Sequence, residues 1–183
     1  MKDAHRGMSS MQDMIALIEP LIPGLRRYAH GLLRDTTAAD DLVQDCLERA
    51  VGRWHQRRPD GDARSWMFTI LHNLAINRLR RRGRSPADIS VENVGEAAVS
   101  QPPTQEAGLH RRDLLDAIGR LPTDQRAVLL LVGVEDLSYA EAARALDVPI
   151  GTIMSRLSRA RERLRQELSG NVRPPMPHLR RIK

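Results

Sequence analysis

Polar side chains recur at helical spacing in this chain, and each group suits contact with a charged macromolecule. Thr152, Ser155, Arg156, Arg159 and Arg163 fall along one helical face. A guanidinium forks onto two acceptors at once, so it suits guanine edges and phosphates, and hydroxyls bond either. Asn73, Asn77 and Arg81 stand at i, i+4 and i+8, beside an arginine run of Arg78, Arg80, Arg81, Arg82 and Arg84. Amides can read base edges while guanidiniums hold phosphates. Cations also suit a helix C-terminus, but five arginines from Arg78 to Arg84 exceed what a helix end needs. Asp40, Asp41, Gln44, Asp45 and Glu48 form an acidic group. Helix dipole and solvation explain it as well as a docking surface for a basic partner does, and composition leaves both open.

The balance of the chain narrows the chemistry. A formal net charge of +6 and a pI near 10.5 favour a polyanionic partner. The lone Cys46 excludes an internal disulfide framework and a Cys-rich zinc site, and it lies on an apolar face suited to the core. The six histidines are scattered without ligand spacing, so no metal and no cofactor are expected. No apolar run approaches the ~18–20 residues that span a bilayer, and the N-terminus lacks a signal-peptide core. The expectation is a cytoplasmic protein without membrane insertion. Aromatics at 3% and little β-branched alternation predict an aliphatic, all-α core.

Helices must position these groups. From Ser138 to Leu168 the pattern is two helices and a tight turn. Tyr139, Ala142, Ala143 and Leu146 predict one buried face, and Ser138 with Glu141 fits a capping box. Asp147-Val148-Pro149 breaks the helix, and Pro149 suits the first turn of the next. There Ile150, Ile153, Leu157, Ala160 and Leu164 point inward, opposite the hydroxyls and arginines. This is a helix-turn-helix, whose second helix enters the major groove by its N-terminal end.

Upstream, residues 1–10 read as a frayed start. Met14, Ile15 and Ile18 make a short face, Pro20 and Pro23 interrupt it, and Leu21, Leu25, Tyr28, Ala29 and Leu32 continue it to Asp35. Thr36 or Thr37 offers the next N-cap. Leu42, Val43, Cys46, Leu47, Ala50, Val51 and Trp54 then form a wide stripe. Gln56 to Ala63 is a loop by its Pro, Gly and Asp content. In the helix that follows, Trp66, Met67, Ile70, Leu71 and Leu74 face inward, while His72, Asn73, Asn77, Arg80 and Arg81 project elsewhere. Residues 85–108 carry Pro86, Pro102 and Pro103 with no lysine or arginine, which reads as a linker with a flexible reach on the order of 25 Å. Leu114, Leu115, Ile118 and Leu121 resume the helical pattern to Pro122, and Thr123 or Asp124 caps a nearly continuous apolar run from Val128 to Val132. Two small helical domains follow, 11–84 and 109–168, with a disordered tail expected at 169–183.

Taken together, DDLVQDCLERAV followed by ARSWMFTILHNLAINRLRRRGR resembles region 2 of a bacterial sigma factor. LPTDQRAVLLLVGVEDLSYAEAARALDVPIGTIMSRLSRARERL resembles region 4. The direct passage between them resembles the extracytoplasmic-function (ECF) type of the sigma-70 family. The resemblance implies a non-enzymatic promoter-specificity factor under anti-sigma control in a stress or envelope response. It assigns Asp40, Asp41, Gln44, Asp45 and Glu48 to core RNA polymerase. It assigns Arg64, Asn73, Asn77, Arg80 and Arg81 to the −10 element as melted single strand, and Thr152, Ser155, Arg156 and Arg159 to the −35 duplex. Met154 and Ser158 depart from the basic or bulkier residues of many relatives. Two other functions compete: a stand-alone helix-turn-helix regulator, and a sigma-mimicking adaptor that sequesters an anti-sigma factor. The acidic and Asn/Arg faces of the first half argue against the former, and the two arginine faces against the latter.

Overall fold

The computed structural model describes residues 11–57, 62–83 and 105–170, and these are helices and short connections without a strand. Arg84, half of the loop from Gln56 to Ala63, most of the segment 85–108, the first ten residues and the tail from residue 171 lie outside the described residues.

The first helix, α1 (11–18), buries Met14 and Ile18 but leaves Ile15 exposed, because only the i, i+4 pair meets the core. Pro20 has no N–H to extend the ladder, and a 3-10 turn, Glu19–Leu21, follows. Helix α2 (Ile22–Leu33) takes Pro23 into its first turn and buries Leu25, Tyr28, Ala29 and Leu32. Arg34 ends it in the left-handed region, φ 57°, with its N–H on the His30 carbonyl. Asp35 is then extended, and its carboxylate accepts the Ala38 N–H at 2.8 Å. Asp35 therefore caps α3 (Thr36–Gly52), not Thr36 or Thr37, which already lie inside the helix. The N–H of Ala38 and the nearby Arg82 guanidinium hold the Asp35 carboxyl below the usual range.

The stripe on α3 is narrower than its composition suggests: Leu42, Val43, Cys46 and Ala50 are buried, while Val51 falls off its edge into solvent. Helix α4 (Ala63–Arg82) is capped by Asp62, which accepts from the Arg64 and Ser65 N–H groups. It buries Met67, Phe68, Leu71, Leu74 and Ala75. Tyr28 meets Phe68 edge to face at 5.6 Å, and Trp66 packs the same way on Trp54 at 6.0 Å. Cys46 is fully buried beside the Met67 carbonyl; burial, partly opposed by Arg49, pushes its thiol up to about 12, which makes it an inert core residue.

The second half comprises α5 (Gln105–Arg120), α6 (Thr123–Gly133), α7 (Tyr139–Leu146) and α8 (Ile150–Gly170). Helix α5 takes in the end of the segment read as linker. It turns Ala117 and part of Ile118 inward and leaves Leu114 and Leu115 exposed, a rotated face relative to the sequence pattern. Pro122 occupies the N-cap of α6 without a side-chain cap, because Asp124 bonds the N–H of its neighbour Gln125 instead. The expected capping box of α7 is present: Glu141 accepts from the Ser138 N–H at 2.7 Å and donates its own N–H to Ser138 Oγ at 3.2 Å. Asp147 turns left-handed, φ 51°, ahead of Pro149 and α8. Tyr139 and Ile150 start their helices facing solvent, so Ala142, Ala145, Leu146, Ile153, Leu157 and Ala160 carry the burial.

The two halves share one continuous apolar core. Helix α2 packs against α3 and α4 on one side and α6 on the other, and α7 lies on α4. At this junction His72, expected to project outward, turns in: its Nδ1 is 2.8 Å from the Tyr28 hydroxyl. Burial, with Arg156 nearby, lowers the His72 pKa from 6.5 to about 4. The unfolded chain therefore takes up this proton first as pH falls. The folded state loses up to about 3 kcal/mol between pH 6.5 and about 4 through this group. Urea midpoints across that range will fall with pH in the native chain and fall less in His72→Gln, which keeps a partner for Tyr28.

Candidate nucleic-acid and polymerase interface

All five acidic-group residues are exposed on α3. Asp41, Gln44, Asp45 and Glu48 follow i, i+3, i+4 and i+7, and Gln44 donates to Glu48 at 3.1 Å. Asp40 leans the other way, toward Arg26 at 3.8 Å and His30 at 3.5 Å on α2. The face is thus a narrow carboxylate ridge with Asp40 at its border. Asp41 is tied to Arg78 of α4 at 3.3 Å, an exposed pair that orients more than it stabilises.

Helices α3 and α4 leave a groove between them, lined by Leu42, Asp45, Arg49, Leu74, Asn77, Arg78 and Arg81. Its volume of about 190 Å³ is below the ~300 Å³ of ordinary small-molecule pockets. The fold therefore sets Asp45 beside Asn77 and Arg81, joining two groups that the sequence presented separately. Asn73, Arg80 and Arg81 are exposed along the same helix. Guanidiniums on one edge and carboxylates on the other suit a strand of nucleic acid beside a basic protein surface.

Arg64 does not join them. It sits at the start of α4, about 14 Å along the axis from Asn73, and its Nη2 donates to the backbone carbonyl of Glu135 in the second half. On α8, Ser155 and Arg159 are exposed, while Thr152 and Arg156 are half-buried. Arg156 is paired through Nε with Asp124 of α6 at 3.2 Å, and Ser155 Oγ donates to the Thr152 carbonyl at 3.1 Å. The outward face of the helix-turn-helix is therefore Ser155 and Arg159, with Met154 beside them half-exposed. Among the described residues no group of three His, Cys, Asp or Glu could hold a metal ion, and no helix is long and apolar enough to cross a membrane.

The sequence pattern did not single out Glu135, Arg27 or Arg126. Glu135 is buried between the halves and accepts two bonds from Arg27, and Arg126 reaches backbone carbonyls of both halves. An available signal was the helical spacing of Gly24, Arg27, Gly31 and Arg34, which no apolar stripe explains.

Residues 18–72 match the family model for the Sigma2 domain of PhyR, and residues 111–164 match that for Sigma-70, region 4. The chain is 37% identical over 143 residues to the ECF RNA polymerase sigma factor EcfG of Rhodopseudomonas palustris, covering 78% of each protein. Among solved structures it resembles the complex of the sigma factor RpoE with the anti-sigma factor NepR from Bartonella quintana. The TM-score is 0.72 and identity 34%, over 87% of this chain and 99% of the matched one. The complex of anti-anti-sigma factor PhyR with NepR from the same organism matches at TM-score 0.55 and 16% identity, over 84% of this chain and 49% of that one, which shows the fold alone.

The exposed Arg159 gives a direct check on the polyanion-binding face. Arg159→Glu should weaken binding to a mixed-sequence DNA duplex about tenfold and reduce the slope of log affinity against log salt by about 1. Its thermal midpoint should stay within the small shift of a surface substitution. Fluorescence anisotropy at several salt concentrations, with a melting curve, measures all three.

Proposed function

We propose that this chain, which belongs to the ECF RNA polymerase sigma factors, docks on core RNA polymerase and directs it to promoters. The carboxylate ridge of α3 (Asp41, Gln44, Asp45 and Glu48, with Asp40 at its border) engages the polymerase. Asn73, Asn77, Arg80 and Arg81 hold the non-template strand of the melted −10 element; Arg64, at the head of α4, reaches that strand only on release from the Glu135 carbonyl. Thr152, Ser155, Arg156 and Arg159 read the −35 duplex. The observation that carries this reading is the groove between α3 and α4, where Asp45 stands beside Asn77 and Arg81. A polymerase-docking edge and a strand-holding edge there share one rigid pair of helices. The chain contributes binding energy and position, and the polymerase supplies the chemistry. Its working place is the cytoplasm, where polymerase and promoter are.

Control by an anti-sigma factor follows from the same family. The Bartonella sigma factor, 34% identical, is seen in complex with NepR. A similar partner here would cover the α3 ridge or the DNA-reading faces and so compete with polymerase.

The match of residues 18–72 to the Sigma2 domain of PhyR favours one other reading, that of an adaptor which captures an anti-sigma factor. Such an adaptor has no use for exposed base-reading amides and guanidiniums, and Asn73, Asn77, Arg80, Arg81 and Arg159 are all exposed. Core affinity separates the functions. Asp45→Arg should weaken binding to purified core polymerase at least about tenfold, the scale of a lost interfacial charge contact, without weakening binding to duplex DNA. Equal core affinity of native and variant chains, measured by fluorescence titration, would remove the ridge from the polymerase interface. An absence of core binding by either would favour the adaptor or a stand-alone regulator.

A further inference from the structure

We propose that Ile150 and Met154 form an apolar edge on α8 that reads the 5-methyl group of thymine in the upstream duplex, a role that rests on α8 being the −35 reader. The edge makes thymine, rather than guanine alone, a determinant of promoter choice.

Ile150 opens α8 and Met154 follows at i+4, so their Cβ atoms lie about 6 Å apart on one side of the helix. Ile150 is 46% exposed and Met154 49%. Single apolar residues scattered over a surface are ordinary. These two are neighbours, and they stand in the first two turns, the part of a recognition helix that meets base edges. The burial of α8 falls instead to Ile153, Leu157 and Ala160.

The charges around the edge identify what covers it. Arg159 is exposed across the outward face from Met154, and Arg161 and Arg163 are exposed in the turn that follows. Glu162, the acid on that face, is engaged by Arg165 and by Gln166, whose Nε2 donates to it at 2.9 Å. The occupant is therefore a polyanion that also presents apolar groups. Duplex DNA meets both conditions in the major groove, where thymine alone among the four bases carries a methyl group. At 3.4 Å per base pair, a 6 Å edge spans about two neighbouring pairs.

The helix also leaves room for close approach. A Cβ added to Gly151 would meet no protein atom within 4 Å, so internal packing does not call for glycine there. Glycine is a poorer helix former than alanine, but its lack of a side chain lets the backbone beside Ile150 come near the groove floor.

Polar reading by this helix is limited. The arginines between residues 150 and 159 are Arg156 and Arg159. Arg156 is half-buried, with Nε 3.2 Å from Asp124, and Ser155 Oγ donates to the Thr152 carbonyl. Arg159 is left to fork onto a guanine or a phosphate. The pairs beside it fall to the apolar edge, where the flexible thioether of Met154 can settle on a methyl group. Loss of one such methyl from the contact is worth about fourfold in affinity.

The test selects duplexes from a randomised pool with the full chain, alone and with core polymerase. Each thymine of the enriched upstream element is then replaced in turn by uracil, which deletes the methyl group and nothing else. One thymine or two neighbouring ones should each show a loss of about fourfold on replacement. Met154→Ala or Ile150→Ala should largely abolish that loss at its own base pair, the coupling expected of groups in contact. Both variants should keep native helicity, since both positions are half-exposed. Arg163→Ala should weaken binding to all duplexes alike and leave the uracil loss intact. An enriched element without thymine, or one indifferent to uracil throughout, overturns methyl reading, leaves the −35 role intact and assigns the edge to a protein partner. A uracil loss that persists undiminished in both variants overturns the assignment to Ile150 and Met154. Enrichment of no sequence by a folded, core-bound chain overturns the −35 role and methyl reading together. Coupled uracil losses in a chain that does not bind core overturn the sigma reading and leave methyl reading standing.

Discussion

A carboxylate removed from water must be given a cation and donors or it will not stay charged and buried. Glu135 is placed under that constraint by the turn that ends α6. The N–H groups of Val134 and Glu135 both reach the Leu130 carbonyl, at 3.1 and 3.0 Å, and Leu137 N–H reaches Leu131 at 3.0 Å. Asp136 accepts a left-handed φ of 51° to let the chain turn back toward α7. The turn is thereby closed by backbone bonds before any side chain is considered, and it aims the Glu135 carboxylate at α2. Arg27 answers it, Gly24 makes room, and Arg64 takes the carbonyl of the same residue. The shared core of Leu130, Leu131 and their neighbours fills in around that fixed point.

This arrangement divides the arginines into two kinds. Arg27, Arg64 and Arg126 hold the halves together through oxygens that have few other partners. Arg80, Arg81 and Arg159 face solvent. The latter are the ones available to a polyanion, and their exposure makes them inexpensive to engage. The proposed recognition helix consequently offers a modest contact set, since Arg156 is already paired with Asp124 and Met154 brings no charge. A weak reader suffices where a second face and the polymerase supply the effective concentration.

Much of this was legible in the sequence, and the reasons for the exceptions are local. The capping box at Ser138 and Glu141, the break at Asp147 to Pro149 and the stripe of α4 follow from short-range rules and appear as expected. The sequence does not single out Asp35 as the α3 cap because three possible capping residues stand in a row, and only the backbone shows which is outside the helix. Tyr139, Ile150, Leu114, Leu115 and Val51 are apolar at plausible periodicity yet exposed, because periodicity gives a face but not the partner that limits its width. His72 falls outside the apolar stripe for the same reason; Tyr28, distant in sequence, turns it in. The Glu135–Arg27 pair spans 108 positions, and no local pattern announces it. Of the proposed site, residue types and faces were visible, whereas the meeting of Asp45 with Asn77 and Arg81 needed the packing of α3 on α4.

The two helical halves thus share one apolar core, with Glu135, Arg27, Arg64 and Arg126 bonded across the junction. In the proposed function this chain gives core polymerase its promoter. Run-off transcription with purified core polymerase, on genomic fragments whose start sites shift when the chain is overproduced, tests it most directly. The account predicts discrete transcripts that appear only when the chain is added and whose start points share one pair of upstream elements. Transcripts of equal amount and start point with and without the chain would contradict it.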